Sequence, residues 1–459
     1  MCPCKKTVFE YLYSLAEKKP NFMYLETENE AYTAKEFFNT VCYEANSLVR
    51  KGVKKGDTVA ILVKKDIETI IYFFACQILG AVALMIDEHE NINALENEYG
   101  IKIKYSILED RQVTKTLLLP MLEFPDLSDS RETTIEIFTS GSTGERKIVK
   151  LSQYAFINNA VDSKIFGWYE ESDVALAFLP LTHVFAMALL FTSIVFGFKV
   201  VVAKEKDIPY LLECVQKYHI TRFNGVPTLF LRMVELKDGY DISSFKCAYI
   251  GGAPSSQKEY FKIEESLGIK LLPVYGMSEC VGISSGGNIH DSKVLANSVG
   301  QVYSLNDVIL DKDGEILVKG PSMCNGYLKG DLPLKDGYLL TGDIGEFDKD
   351  GFLHIVGRKK EIIIRNGINI SIPEITKKLS NAEMFKDFVV VGIEDKCVGE
   401  IPALAVVLYK DEDKKDINIE LSKYLNKFEM PAQVLCVDSI PLLENGKIDK
   451  ETIKKLFIS

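Results

Sequence analysis

The segment from Thr139 to Lys147, Thr-Ser-Gly-Ser-Thr-Gly-Glu-Arg-Lys, brings hydroxyl side chains, two glycines and a lysine together. Glycines let backbone N–H groups turn toward one point, and such a nest, surrounded by hydroxyls and a lysine, suits a polyphosphate. A Walker A loop is excluded because it places Gly-Lys-Ser/Thr four residues after its first glycine, a pattern that this segment lacks. Taken alone, a turn of this composition is as often an ordinary loop as an anion site.

Two more glycine-bearing turns follow apolar runs, Gly251–Pro254 and Tyr275–Glu279. The runs that precede the three turns are typical of short buried strands: 135–138, 248–250 and 271–274. Ligands of open α/β sheets bind beyond the carboxyl ends of the strands. The three turns therefore predict one composite site.

The elements that would carry this site follow a β–α–β rhythm. Thr58 to Val63 predicts a strand, Asp66 caps a helix that ends at Gly80, and 82–86 predicts the next strand. Strands that are apolar throughout and joined by helices favour a parallel sheet covered on both faces. The fold class is α/β, a large N-terminal body of sheets flanked by helices.

The pattern changes after about residue 300. Two Asp-Lys-Asp-Gly segments, 311–314 and 348–351, predict hairpin turns. From about residue 360 the chain has strands of its own, 388–393 and 403–408, with lysine-rich helices. We expect a large domain over 1–359 and a small, mobile α+β domain over 360–459.

Composition excludes several functions. The 459 residues carry 54 basic and 65 acidic side chains, and the net charge of −11 argues against nucleic-acid binding. The 10 cysteines have no repeating spacing, which is typical of reduced thiols. The apolar run 184–198 is shorter than the ~20 residues of a membrane-spanning helix, so we expect a core helix there. Without an apolar signal segment at the start, we expect a cytoplasmic protein.

Read together, the motifs resemble those of the adenylate-forming superfamily, which contains acyl-CoA synthetases, adenylation domains of peptide synthetases and firefly-type luciferases. The matches run in the family's order along nearly the whole chain: TSGSTGERK at 139, LPLTHVF at 179, GGAP at 251, YGMSE at 275, TGD at 341, GRKKEIIIRNGINI at 357, VVGIEDKCVGE at 390 and PLLENGKIDK at 441. The closest motifs are those of AMP-dependent fatty or aryl acid–CoA ligases.

The resemblance implies that a carboxylic acid reacts with ATP to give an acyl-adenylate and pyrophosphate, and that a thiol then attacks the adenylate. Lys447 matches the catalytic lysine of the family, which offsets the negative charge where carboxylate and phosphate meet. Glu279 matches the Mg²⁺-binding glutamate, and an oxygen ligand suits this hard cation.

The resemblance also assigns nucleotide-binding residues. The phosphates would lie on the loop residues Thr139, Ser140, Gly141, Ser142, Thr143, Gly144 and Lys147. Adenine and the α-phosphate would lie against Gly252, Ala253, Pro254, Tyr275, Gly276, Met277 and Ser278, the last replacing the family's usual threonine. Asp343 and Arg358 match residues that bind the ribose.

Two positions imply movement of the small domain. Lys360 matches the family's hinge, and Gly367 matches a glycine that lines the pantetheine tunnel. One closed cleft cannot both present Lys447 and admit a thiol, so a swing between two poses is expected. The sequence departs from the family after the phosphate loop, where Arg146-Lys147-Ile148 replaces Pro-Lys-Gly and could change the affinity for ATP.

The acid is the least determined part of this interpretation. The Leu179 segment has no acidic residue to pair with an ammonium group, which disfavours an α-amino acid. His183 matches the position that gates entry of the acid, and small Gly225 and Gly251 would leave room for it. The candidates for the acid pocket are Phe185, Met187, Asn224, Gly225, Gly251 and Val281. We favour a fatty acid over an aryl acid.

Alternatives stay open. The thiol could belong to coenzyme A or to the phosphopantetheine arm of an acyl carrier protein, and the motifs separate the two poorly. A nucleotide-binding protein without catalysis is disfavoured because Glu279, Asp343, Arg358 and Lys447 are all present. The sequence leaves the oligomeric state, monomer or homodimer, undetermined.

Overall fold

The structure is a computed structural model that describes residues 2–108, 113, 115, 130–139, 146–166, 169–287, 290–365, 368–380, 382, 384–395, 398–409, 417–441 and 448–458. At 165, 360, 362, 364, 368, 369 and 458 it describes the backbone alone. The chain divides into two compact units. The first comprises Met1–Val308, Val318–Leu339 and Lys349–Leu353, and the second comprises Ile309–Leu317, Leu340–Asp348 and His354–Ser459.

The first unit alternates strands and helices. Its helices are α1 (Val8–Lys18), α2 (Ala34–Arg50), α3 (Ile67–Leu79), α4 (Ile92–Tyr99), α5 (Gln153–Ser163), α6 (Val184–Phe196), α7 (Ile208–Tyr218), α8 (Pro227–Leu236), α9 (Gln257–Leu267) and α10 (Ser292–Leu295). Its strands before residue 303 are β1 (Met23–Glu26), β2 (Ala31–Thr33), β3 (Thr58–Leu62), β4 (Val82–Ile86), β5 (Ile103–Ile107), β6 (Ile135–Phe138), β7 (Ile148–Leu151), β8 (Val174–Ala177), β9 (Lys199–Val202), β10 (Arg222–Gly225), β11 (Cys247–Ile250), β12 (Lys270–Met277), β13 (Cys280–Ser285) and β14 (Gln301–Val302).

Two sheets form this body. Among the described residues, nine strands run in the order β14-β13-β12-β11-β10-β8-β9-β1-β2, and five in the order β5-β3-β4-β6-β7. Helices α1, α2, α3, α5 and α6 contribute to the largest apolar cluster, while α7, α8 and α9 cover β8, β10, β11 and β12 in a second one. The fold is therefore α/β with a large N-terminal body, as the sequence predicts.

The β3–α3–β4 unit was predicted best, because the residues that begin and end its helix are recognisable in the sequence. Asp66 caps α3 by accepting a hydrogen bond of 2.8 Å from the backbone N–H of Thr69. Gly80 ends the helix with φ of +69°, a left-handed conformation that glycine adopts without strain. Strands β3 and β4 on either side pair in parallel. The β–α–β unit predicted from the sequence is confirmed.

Helix α6 confirms the interpretation of the apolar run as a core helix. Phe191, which is fully buried, stacks on Phe156 of α5 with ring centroids 4.7 Å apart. The helix ends at Gly197 and leads into β9. Within the described chain, no helix is both long enough and apolar enough to cross a bilayer.

The sheets are mixed rather than wholly parallel, which corrects the expectation from the apolar runs. Strands β6 and β7 pair antiparallel, so the predicted phosphate loop connects the two strands of a hairpin. Strand β12 runs on through Tyr275 to Met277 and pairs antiparallel with β13. Periodicity alone does not distinguish a buried parallel strand from a buried hairpin.

The described segment 307–358 contains five strands: β15 (Asp307–Leu310), β16 (Glu315–Lys319), β17 (Leu334–Lys335), β18 (Tyr338–Phe347) and β19 (Leu353–Arg358). Both Asp-Lys-Asp-Gly segments lie between consecutive strands of this set, as predicted. A 3₁₀ turn, Lys359–Glu361, follows β19.

The rest of the second unit has its own sheet and core. Its elements are β20 (Ile362–Arg365), β21 (Ile368–Ser371), α11 (Ile372–Leu379), β22 (Phe385–Asp395), β23 (Gly399–Leu408), α12 (Ile417–Tyr424), β24 (Gln433–Cys436) and α13 (Lys450–Ile458). Val390 packs with α11 and α12, while Val389 and Val391 pack with Ile453 of α13. This alternation gives both faces of the sheet a cover and confirms a small C-terminal α+β domain. The boundary at residue 360 stays a prediction.

Candidate active site

The predicted phosphate loop is closed at its base by the hairpin that carries it. The backbone N–H of Thr139 donates a hydrogen bond of 2.8 Å to the carbonyl of Lys147. Phe138 and Ile148 are the next ladder pair. Five predicted phosphate-binding residues lie outside the described residues: Ser140, Gly141, Ser142, Thr143 and Gly144.

Arg146 stands where the family has proline, and its side chain contacts residues outside the loop. Its guanidinium forms an ion pair with Glu90 and lies 4.4 Å from the ring centroid of Phe138. The Tyr99 hydroxyl donates a hydrogen bond of 3.1 Å to the Arg146 carbonyl. These contacts explain the arginine as an anchor for the end of the loop.

Lys147 and Glu279 share a neighbour, Tyr327, that the motifs do not include. The Lys147 ammonium lies 4.5 Å from the centroid of the Tyr327 ring. The Tyr327 hydroxyl donates a hydrogen bond of 2.6 Å to Glu279 Oε1. Burial, followed by the bond to Glu279, raises the pKa of Tyr327, so the phenol remains a neutral donor. Tyr327 therefore connects the phosphate hairpin to the Glu279 turn.

Glu279 and Ser278 form the two-residue turn between β12 and β13. Gly276 is required just before this turn, because a Cβ there would lie 2.7 Å from the backbone oxygen of Val281. Tyr275 is buried in the same strand. The hairpin thus fixes Glu279 at a tip, next to the phosphate hairpin.

The GGAP segment follows β11 directly. Gly252 has φ of +77°, and Gly252, Ala253 and Pro254 are exposed. Since β11 pairs with β12 in parallel, these residues follow the strand next to the one that contains Tyr275. Their contact with adenine stays a prediction.

In the second unit, Asp343 and Arg358 are brought together. Arg358 Nε donates a hydrogen bond of 2.8 Å to Asp343 Oδ1. The Asp343 side chain is 6% exposed, whereas that of Arg358 is 62% exposed. The sequence predicts that both meet one ribose, and their pairing places them within reach of one ligand.

A second ion pair runs beside the first. Glu315, which is buried, accepts hydrogen bonds from the Gly342 N–H at 3.0 Å and from Lys359 Nζ at 2.8 Å. Gly342 precedes Asp343 in the chain and Lys359 follows Arg358. Glu315 therefore binds a residue next to each member of the first ion pair. Lys360 follows in the 3₁₀ turn with its side chain outside the described atoms, and Gly367 and Lys447 lie outside the described residues.

The acid-pocket candidates lie on several elements of the first unit: α6, β10, β13 and the turn after β11. His183 is the N-cap residue of α6 and is exposed. Asn224 Nδ2 donates a bond of 3.5 Å to the carbonyl of Phe185. Met187 is fully buried and Val281 nearly so, both in the main apolar cluster.

The expected reason for two glycines is wrong. A Cβ at Gly225 would lie 2.7 Å from Leu229 Cδ2, and one at Gly251 would lie 2.7 Å from Val274 Cγ2. Their lack of a side chain is therefore needed for close packing of β10 and β11 against neighbouring side chains, not to leave room for an acid. Whether they line the acid pocket stays a prediction.

An open pocket adjoins these candidates within the first unit. It includes Phe185 and Asn224 and is otherwise walled mainly by apolar side chains of β8, the following loop and α6. Lys64 and Lys65, from the loop after β3, are the cations that line it. The motifs give no signal for these two lysines.

Sequence reasoning missed Tyr327 and Glu315 as well. Tyr327 is one of 21 tyrosines in the chain and lies outside every quoted motif. Glu315 stands at the start of an apolar strand segment, where a buried carboxylate implies a partner. That mismatch is the one signal that could have identified it.

A magnesium site at Glu279 agrees with the donors present. Mg²⁺ commonly takes one or two carboxylates and completes its shell with phosphate and water. In the described part of the chain, no cluster of three or more His, Cys, Asp or Glu side chains forms an all-protein metal cage. Glu279 therefore fits a cation that phosphates share.

Comparisons with known proteins identify the family of this chain. The AMP-binding enzyme family matches residues 13–99 and 104–328, and its C-terminal domain matches residues 375–447. The 2-succinylbenzoate–CoA ligase of Listeria monocytogenes serotype 4b is 27% identical over 462 residues, with 97% of this chain and 98% of the relative covered.

Two solved structures extend the likeness. The o-succinylbenzoate CoA synthetase of Bacillus subtilis, in complex with the acyl-adenylate intermediate OSB-AMP, is 25% identical, with a TM-score of 0.82 and 97% of each chain covered. ATP-bound MatB from Rhodopseudomonas palustris, 20% identical, shares the fold with a TM-score of 0.85, covering 98% of this chain and 99% of that one. This chain belongs to the AMP-binding enzyme family, the adenylate-forming superfamily, and is an acid–thiol ligase of the AMP-forming acyl-CoA synthetase type.

Proposed function

We propose that this protein activates an aryl carboxylic acid with ATP as an acyl-adenylate and then transfers the acyl group to coenzyme A. The observation that carries the proposal is the Lys147–Tyr327–Glu279 arrangement, which sets a cation and a carboxylate beside the phosphate hairpin. The named relatives that act on 2-succinylbenzoate support the aryl acid over the fatty acid that the motifs alone favour.

In the first step, a carboxylate oxygen of the acid attacks the α-phosphorus of ATP and the bond to pyrophosphate breaks. Negative groups must approach one another, so positive charge at the meeting point lowers the barrier. Lys147 stands at the end of the phosphate hairpin to supply part of that charge. Bound Mg²⁺ would offset further phosphate charge, with Glu279 as its protein ligand.

The second unit would hold the ribose. Asp343 is buried and accepts from Arg358, and a carboxylate has lone pairs enough to accept ribose hydroxyls as well. In the second step the thiol sulfur attacks the adenylate carbonyl and AMP leaves. The family resemblance gives Lys447 to the first step and Gly367 to the passage of the thiol.

The test is pyrophosphate release from ATP and Mg²⁺ with 2-succinylbenzoate, a fatty acid and an α-amino acid, each with and without coenzyme A. We expect the aryl acid to support release, and turnover to continue only with coenzyme A. Lys447→Ala should abolish most of the rate, while Lys455→Ala, at an exposed lysine of α13, should not.

Other outcomes contradict defined parts of the proposal. Preference for the fatty acid contradicts the aryl assignment. Release that stops after one turnover despite coenzyme A contradicts the assignment of the thiol and favours a carrier protein. No release with any acid contradicts the proposal as a whole.

A further inference from the structure

The pocket beside α6 combines an apolar wall with positive charge. Its wall includes Phe178, Leu181 and Leu190, all buried. Its charged lining residues are Lys64, Lys65 and Asp66. Because Asp66 is engaged in capping α3 through the N–H and hydroxyl of Thr69, the lysines are the groups available to a ligand.

Lys65 is the more significant of the two lysines. Lys64 is exposed, whereas Lys65 is half-buried. Within the chain that the structure describes, the Lys65 ammonium makes no ion pair with any carboxylate. Burial, reinforced by nearby Lys206, lowers the pKa of Lys65, and Glu205 and Asp207 only partly counter this.

A half-buried ammonium without a direct counter-ion has lost hydration without regaining it from the protein. An anionic group that entered the pocket would restore the missing interaction, while the rest of the ligand filled the apolar part. The ligand that these features fit is an apolar molecule with one acidic group near Lys65. The pocket shares Phe185 and Asn224 with the predicted acid site, so the acid substrate is the natural occupant.

We propose that Lys65 binds a second carboxylate of the acid substrate, which makes the substrate a dicarboxylic acid of which one carboxyl group is activated. This inference rests on the proposed function, because it specifies the acid of that same reaction. The name of the Listeria relative fits it, since 2-succinylbenzoate carries two carboxyl groups.

The experiment compares matched acids with and without the second carboxylate. The pairs are 2-succinylbenzoate with 3-benzoylpropionate, which lacks the ring carboxylate, and nonanedioate with nonanoate. The full-length protein, Lys65→Met, Lys65→Arg and the control Lys54→Met, at an exposed lysine outside the pocket lining, are assayed for kcat/KM with each acid and for the KM of coenzyme A.

We expect the wild type to prefer one diacid over its monoacid, and Lys65→Met to lower kcat/KM for that diacid by about 10- to 100-fold, the range for one hydrogen-bonded charge. The monoacid should be affected less than about threefold, which also shows that the variant folds. Lys65→Arg should keep most of the preference, and Lys54→Met all of it.

Three results would overturn the inference. If wild type has equal kcat/KM for mono- and diacids, or if Lys65→Met lowers kcat/KM for both alike, Lys65 does not bind a second carboxylate. The ligase proposal then stands. If Lys65→Met instead raises the KM for coenzyme A, the anion belongs to the thiol substrate. If none of the four acids is activated, the proposed function itself fails and the Lys65 inference falls with it.

Discussion

Glu279 in the first unit and Asp343 in the second are both carboxylates assigned to the nucleotide, yet their partners differ in charge. Glu279 accepts a hydrogen bond from the neutral phenol of Tyr327. Asp343 accepts one from the guanidinium of Arg358. A phenol orients a carboxylate and leaves its negative charge intact, whereas a guanidinium offsets that charge. Glu279 is therefore suited to a cation and Asp343 to neutral hydroxyls.

Glu279→Gln breaks the comparison most directly. The amide has the shape of the carboxylate but no charge, so it is a poor ligand for Mg²⁺. We expect kcat for pyrophosphate release to fall by about 100-fold or more, as when one charge-stabilising group is removed from an active site. An effect confined to the KM of the acid would contradict the cation role.

Asp343→Asn tests the other carboxylate of the comparison, the one assigned to the ribose. An amide still offers one acceptor to a hydroxyl, so we expect the KM for ATP to rise by about tenfold, the value of one charge-assisted hydrogen bond. Steady-state kinetics at saturating Mg²⁺ measure it. A loss of kcat as large as that of Glu279→Gln would show that the two carboxylates share one task.

Tyr327→Phe tests whether the phenol positions Glu279. Loss of the 2.6 Å bond should lower kcat by about tenfold, in the range for partners that orient a metal ligand. The effect should shrink as Mg²⁺ is raised, which a purely structural role would not cause. Tyr260→Phe is the matched control, because that buried hydroxyl donates a hydrogen bond of 2.6 Å to the carbonyl of Leu271, which is not an assigned site residue.

We expect replacement of a third carboxylate, Glu136 on β6, to have the smallest effect on activity. The same replacement should change how the free energy of unfolding depends on pH. Glu136 is buried opposite Lys150 in the β6–β7 ladder, and Oε2 lacks a hydrogen-bond partner among the described residues. Burial raises the pKa of Glu136 to about 7. The folded state therefore binds more protons than the unfolded state, in which a glutamate has a pKa of about 4.3.

The free energy of unfolding should fall as pH rises from about 4.3 to about 7, by about 4 kcal/mol at most. Glu136→Gln should remove this slope, and Glu213→Gln, at an exposed position of α7, should retain it. Urea unfolding between pH 5 and 8 measures the difference. Parallel pH profiles for wild type and Glu136→Gln would show that Glu136 is not protonated preferentially in the folded state.

The sequence predicts what local signals determine. The cap at Asp66 and the glycine at Gly80 bound α3 correctly because each acts on residues next to it. The family motifs are also short local segments, and they identify Glu279, Asp343 and Arg358 as candidates.

Pairing between distant segments was not predictable. Tyr327 meets Glu279 across 48 residues, and Lys359 meets Glu315 across 44. The sequence predicts a turn within Tyr275–Glu279, but the antiparallel direction of the flanking strands was not predictable, because apolar runs do not reveal strand direction. The close packing at Gly225 and Gly251 was not predictable either, because nothing in the sequence shows which side chains fill the space beside a glycine.

The most direct test of the difference between the two carboxylates is the Mg²⁺ concentration that gives half the maximal rate of acid-dependent pyrophosphate release. It should be measured at saturating ATP in wild type, Glu279→Gln and Asp343→Asn. We predict that this concentration rises about tenfold or more in Glu279→Gln and changes less than about twofold in Asp343→Asn. Equal shifts in both variants, or a shift in Asp343→Asn alone, would contradict the assignment of the cation to Glu279.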